Sequence, residues 1–243
     1  MKVLIPIVEN EIAHIDTPYG RSLYEIERKT ILQHVLERLQ DIKGAEFIFI
    51  FSKADVEKYR LESVIKLLVP AARVVIAEGK TAGAALSCML AIDYLDEEAP
   101  MAVAGGDQIT AVNPGEVIDY FKDKDLDGGV VCFNDIHPRW SYVLLNDEGL
   151  VIEAAEKTPI STNATTGFYY YKRAGDFTEA VFEMVKKKAS VNGKYYVCPA
   201  YNELVLKHKR IGAYFIDRSR YFNFSHQKGV EMYEQYLREL RRS

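Results

Sequence analysis

Cysteine is scarce. The chain has three, Cys88, Cys132 and Cys198, widely separated and without CxxC or Cys/His ligand spacing. That argues against a disulfide framework and a structural zinc site, and each reads as a small buried apolar residue in a reducing compartment. Long apolar runs are missing, so no segment is expected to span a bilayer. The N-terminal run KVLIPIV is too short for a signal peptide core and meets acid at Glu9, so a cytoplasmic location is expected. Neither sign of charge dominates: 31 basic against 35 acidic side chains give a formal net charge of −4, which excludes a general nucleic-acid binder. Arg238, Arg241 and Arg242 fit the solvated face of a last helix. There is no Pro/Gly/Ser-rich linker and no internal repeat. The 243 residues, 48% of them hydrophobic, are expected to form one domain, 1–243, with its own core.

What is present is an α/β rhythm. KVLIPIV and EFIFIF (46–51) are continuous apolar runs of the kind that suits strands buried on both faces of a parallel sheet. Between them KTILQHVLERLQDI puts Ile31, Val35 and Leu39 on one helical face. A second helix is expected over 54–68 through Val56, Tyr59, Val64 and Leu67. RVVIA then supplies a strand, AGAALSCMLAIDYL a helix and PMAVAGG a fourth strand, which argues for right-handed crossovers and a doubly wound sheet. The second half changes to short strands, GGVVCF, SYVLLN, LVIEAAE and TGFYYYK, with NDEG as a turn. Helices at about 175–188 and from about Lys228 complete a mixed extension of the sheet.

Ligands of open α/β sheets bind beyond the carboxyl ends of the strands, so the end of the fourth strand, Gly105-Gly106-Asp107-Gln108, comes first. The glycines permit close approach, and the Asp107 carboxylate can hold a hard divalent cation against phosphate oxygens. A helix-capping role for Asp107 competes, although Asn113-Pro114 already provides a cap. Glu156-Lys157 closes a strand. A carboxylate there can accept sugar hydroxyls and an ammonium can meet phosphate, yet a surface ion pair would look the same. If the strand stays regular the two side chains point to opposite faces. Thr81 and Gly83 lie in a strand-to-helix loop that can take a ligand base, or simply pack closely. Trp140, the only tryptophan, reads as a core anchor beside Arg139, with stacking on a ligand as the alternative. Gly167 interrupts a strand pattern and suggests a bulge or a close backbone approach.

In order, YGRSLYEIERKTILQHVLERL, TAGAAL, AGGDQI, WSYVLL, VIEAAEK, ATTGFYYYK and NGKYYVCPAYNELV resemble the sugar-phosphate nucleotidyltransferases over roughly residues 1–215. More narrowly they are similar to the branch found in capsule and surface-polysaccharide pathways. The resemblance implies a Rossmann-like GT-A nucleotide-diphospho-sugar transferase fold, a mostly parallel mixed sheet flanked by helices. Residues 1–110 would form the nucleotide-binding half and 111–243 the sugar or acceptor half. It implies transfer of a nucleotidyl group from a nucleoside triphosphate to a sugar phosphate, with Mg²⁺ assisting and pyrophosphate leaving. Carried onto this chain, Asp107 is the metal ligand and Gly83, with Thr81, the loop at the base. Glu156 and Lys157 hold the sugar and its phosphate, and Gly167 lies beside the sugar.

Three departures stand out. Pro6–Asp16 has no glycine where the family has a glycine-rich loop, and it carries Glu9, Glu11 and Asp16. Gly20-Arg21-Ser22-Leu23 replaces the usual lysine element, leaving Arg21 as the phosphate-binding candidate. Lys194 stands where relatives tend to place an acid, with Asp217 a spatial candidate for a second metal ligand. A binding or regulatory relative without turnover is the alternative function. A GT-A glycosyltransferase ranks below it, because the tip Gly-Asp-Gln lacks an Asp-x-Asp. The aromatic content, including 16 tyrosines, is also compatible with a homo-oligomer.

Overall fold

A computed structural model describes residues 1–8 and 21–242. The glycine-free segment and its acids Glu9, Glu11 and Asp16 lie outside the described residues. Strand β1 (Lys2–Ile7) is followed by a 3-10 turn (Arg21–Leu23), the ribbon β2 (Glu25–Ile26) and β3 (Lys29–Thr30), and helix α1 (Ile31–Leu39). A capping box sets the start of α1: the Thr30 side chain accepts from the Gln33 N–H, and the Gln33 side chain accepts from the Thr30 N–H. Ile31, Val35 and Leu39 are buried on one face, as the spacing requires.

Strand β4 (Glu46–Ser52) leads into α2 (Lys53–Tyr59) and α3 (Leu61–Leu68). The single helix expected over 54–68 is therefore corrected to two. Arg60 between them adopts φ +54°, which ends one helix and re-aims the next. As a result Leu61 and Ile65 are buried, while Leu67 is left 84% exposed. Next come β5 (Arg73–Ala77), α4 (Ala84–Met89), β6 (Met101–Ala104), β7 (Gln108–Thr110) and α5 (Pro114–Asp123). The helix expected after RVVIA stops at Met89, and a separate 3-10 turn covers Ile92–Tyr94. The second half contributes β8 (Gly128–Asn134), β9 (Ser141–Leu145), β10 (Val151–Glu156), β11 (Asn163–Tyr171), α6 (Ala174–Lys186), α7 (Tyr201–Val205), β12 (Ile211–Phe215), β13 (Tyr221–Asn223) and α8 (Gln227–Leu240).

Among the described residues nine strands share one mixed sheet, in the order β10-β9-β11-β6-β1-β4-β5 with β8 and β12 joined beside β11. The block β6-β1-β4-β5 is parallel; β11 runs antiparallel to β6, and β12 parallel to β8. Alternation along the central strands divides the core. Val3, Ile5, Phe47, Phe49 and Phe51 join α1 and α5 on one face, while Leu4, Ile48 and Ile50 join α4, α6 and α7 on the other. Each fully buried Phe or Ile side chain contributes about 1.5–3 kcal/mol, which is why these runs carry no polar face. All three cysteines are free and buried, and burial pushes the thiol pKa of each upward. Among the described residues no helix is long and apolar enough to cross a membrane.

Two local features aim residues at the site. The ribbon of β13 with β7 brings Tyr221–Asn223 back against Gln108–Thr110. The turn at Asn146–Gly149 joins β9 to β10, with the Asn146 Oδ1 accepting from the Glu148 and Leu150 N–H groups.

Candidate functional site

A cleft of about 410 Å³ opens where β1 and β6 end. Its lining includes Pro6, Ile7 and Gly105–Gln108 from the strand ends, and a wall of Trp140, Ser141, Glu156 and Tyr169 carried by or next to the neighbouring strands β9, β10 and β11. Asp55 and Tyr59 of α2, Ala84 and Ser87 of α4, and Asn223 and His226 also line it.

Asp107 lies in this lining. It does not cap a helix: the chain continues into β7, and α5 is capped by Asn113, whose Oδ1 accepts from the Gly115 and Glu116 N–H groups at 2.8 and 3.3 Å. Behind Asp107, the Tyr221 hydroxyl donates to Gln108 Oε1 at 2.6 Å. Gly167, at φ +78°, faces the same glutamine, whose Cδ would stand 2.9 Å from an added Cβ. The register of β11 against β8 shifts between Thr165 and Tyr169, so the strand is irregular around this glycine, where a bulge or a close approach was expected.

Glu156 is only 7% exposed. It pairs directly across the β9–β10 ladder with Ser141, whose hydroxyl donates to Glu156 Oε2. Burial pushes its carboxyl up to about 7, against the opposing pull of the Ser141 hydroxyl and the Lys157 charge. A carboxyl with a raised folded pKa binds its proton more tightly in the native state. Its stabilising contribution is therefore complete below about pH 4.5 and lost as pH rises through 7. Glu156→Gln should abolish this dependence. The stability of the variant relative to wild type should increase between pH 5 and 8, by up to about 3 kcal/mol. Denaturant melts at several pH values test this, and parallel stability profiles would refute it.

Lys157 departs from the regular strand. The strand ends at Glu156, Lys157 takes φ +56°, and its N–H donates to the Trp140 carbonyl at 3.0 Å. The alternation that would send Glu156 and Lys157 to opposite faces thus stops one residue early. The Lys157 ammonium reaches the Tyr196 hydroxyl at 3.0 Å, at the edge of the wall that Tyr196 and Val197 form.

Gly83, at φ +105°, is buried against the backbone of Tyr195, whose N and C atoms would lie 2.6 and 2.8 Å from an added Cβ. Its neighbours Ala84 and Ser87 line the cleft, and Thr81 Oγ1 lies 2.6 Å from Ser87 Oγ. The side chain of Arg21 lies outside the described residues, although its backbone begins the Arg21–Leu23 turn.

Asp217, the spatial candidate for a second metal ligand, is not among the residues that line the cleft. Its carboxylate is the N-cap of the Arg218–Arg220 turn, accepting from the N–H and hydroxyl of Ser219 at 2.7 and 2.5 Å. Lys194 closes a tight turn through Asn192 and Gly193, both at positive φ. Trp140 is 7% exposed and packs on Phe133 and Tyr221. The core-anchor reading holds, and the same ring also lines the cleft.

Among the described residues no three His, Cys, Asp or Glu side chains gather to hold a metal. Mg²⁺ is commonly bound through one or two carboxylates together with substrate phosphates. The Asp107 carboxylate in the cleft lining, a hard oxygen donor, fits a cation that arrives with phosphate.

Sequence reasoning missed Ser141, Tyr169, Tyr196 and Tyr221 as wall residues. For Ser141 the signal was the hairpin turn, but a bulge between Val151 and Glu153 moves the register by one residue. Without that shift, Glu156 would pair with Trp140.

Comparison with the curated proteins returns no match. Among solved structures the chain is similar to the nucleoside-diphosphate-sugar pyrophosphorylase from Vibrio cholerae RC9, with 21% identity, a TM-score of 0.79, and 98% of this chain and 100% of that one covered. It is also similar to a UDP-glucose pyrophosphorylase complexed with UDP-glucose, with 17% identity, a TM-score of 0.74 and 98% of each chain covered. These likenesses establish the fold. The Nucleotidyl transferase family model matches residues 21–210, a span that includes Asp107, Glu156 and the strands that carry them. The chain belongs to the nucleotidyl transferase family.

Proposed function

We propose that this protein joins a nucleoside triphosphate to a sugar phosphate, making a nucleotide-activated sugar of the kind used in surface-polysaccharide synthesis. A phosphate oxygen of the sugar phosphate attacks the α-phosphorus. The bond from that phosphorus to the β-bridging oxygen breaks, and pyrophosphate leaves with the electron pair. Such chemistry needs positioning and charge neutralisation more than proton transfer. Asp107 is the residue that would hold Mg²⁺, which when bound supplies positive charge against the phosphate oxygens. Glu156, held by Ser141, accepts sugar hydroxyls in its ionised form, and Lys157 offers a point charge at the edge of the same wall. Arg21 is the proposed contact to the triphosphate, Gly167 lies beside the sugar, and the loop of Thr81 and Gly83 borders the base.

The observation that carries this reading is the placement of Asp107 and Glu156 in one cleft at the strand tips, inside the segment that matches the family model. Purified protein with Mg²⁺, each common nucleoside triphosphate and a panel of sugar 1-phosphates should release pyrophosphate with one pair. Silence across the whole panel would reject the reading.

A further inference from the structure

We infer that Arg139 is a phosphate-binding residue of this cleft, taking the oxygens of a pyrophosphoryl group or a phosphomonoester. This rests on the nucleotidyl-transfer reading of the same site. The first argument is charge. Three carboxylates line the cleft, Asp55, Asp107 and Glu156, and among the described residues Arg139 is its only lysine or arginine. Anionic substrates entering a cavity with such a lining need a counter-charge facing them.

The second argument is geometry. The exposed Arg139 guanidinium lies over the Trp140 ring, 4.3 Å from its centroid. An exposed guanidinium held over a ring keeps N–H donors available, and its fork suits phosphate oxygens. Trp140 in turn is wedged edge-to-face against Phe133, with centroids 5.5 Å apart and planes at 83°, so the platform is rigid. The other cation of this aromatic cluster, Arg218, is turned inward: its Nη1 donates to the Tyr221 carbonyl at 2.8 Å, and its Nε lies 3.4 Å from Asp135. Among the described residues Arg139 makes no comparable ion pair. Arg139 and Asp107 both line the same cleft, as does Tyr221.

Trp140 is the sole tryptophan, so its emission reports on this platform directly. The full chain, with Mg²⁺ in every sample, is titrated with inorganic pyrophosphate and separately with glucose 1-phosphate, followed by calorimetry and by Trp140 emission. Wild type should bind at least one probe with a saturable emission change. Arg139→Ala should raise the Kd for that probe at least tenfold with an unchanged melting temperature, and Arg139→Lys should recover only part of the loss. Weakened pyrophosphate binding assigns the contact to the triphosphate, and weakened glucose 1-phosphate binding assigns it to the acceptor. Equal calorimetric affinities in wild type and Arg139→Ala, or no binding of either probe to wild type, would overturn the inference. Normal pyrophosphate release by Arg139→Ala would likewise remove Arg139 and leave the transferase reading intact. Arg139-dependent binding without turnover would do the reverse.

Discussion

Asp107→Ala should lower the rate of pyrophosphate release at least about 100-fold, the size of effect expected when a group that stabilises developing charge on phosphate is removed. Its melting temperature should stay within about 2 °C of wild type. The two expectations have separate causes. The side chain is partly exposed in the cleft lining and does not cap α5, whose N-terminal N–H groups are bonded to Asn113. The backbone bond from the Phe224 N–H to the Asp107 carbonyl, at 2.9 Å, survives truncation. Asp107→Asn keeps the shape and removes the charge, so it should be nearly as inactive as alanine and need more Mg²⁺ for half-maximal rate. A variant that melts far below wild type would mark Asp107 as a structural acid, and an Asp107→Asn protein with ordinary turnover would exclude it as the metal ligand.

The parallel half of the fold was legible because its signals are local. The runs KVLIPIV and EFIFIF are apolar at every position, since alternate residues serve two cores on opposite faces of the sheet. The buried face of α1 was written in the spacing of Ile31, Val35 and Leu39. The break at Arg60 was not legible. An arginine carries no propensity for the left-handed region, and the turn exists because Leu61 and Ile65 must reach the core. Strand β12 escaped for a related reason: IGAYF is short, and its place is set by pairing with β8 more than eighty residues earlier in the chain.

The site divides in the same way. Asp107 was readable from a strand end and two glycines. The environment of Glu156 was not, because it depends on a one-residue bulge that changes its cross-strand partner from Trp140 to Ser141. Lys157 shows the limit of alternation: a single positive-φ residue turns its side chain toward Tyr196, on a segment almost forty residues away. Arg139 was visible only as a neighbour of Trp140. Its significance comes from the other charges that line the cleft, which the topology brings together.

Gly83→Ala should reduce the melting temperature by about 10 °C, the shift produced by roughly 3–5 kcal/mol in a chain of this size. At φ +105° an alanine is strained by about 1–3 kcal/mol. The added methyl would also run into the Tyr195 backbone rather than a movable side-chain tip, so the Tyr195 segment must retreat. That retreat threatens two hydrogen bonds, from the Tyr195 N–H to the Ala82 carbonyl at 2.8 Å and from the Ala85 N–H to the Tyr195 carbonyl at 3.1 Å, each worth about 1 kcal/mol. It would also displace Tyr196 and Val197, which line the cleft, and with them the contact to Lys157. The measurement separates two roles for this glycine. If its purpose is close packing, the melting temperature falls and the KM values for both substrates rise together. If it serves only to let a base approach, the variant melts like wild type and the KM for the triphosphate alone rises. The Tyr195 contacts favour the first outcome, and an unchanged melting temperature would refute it.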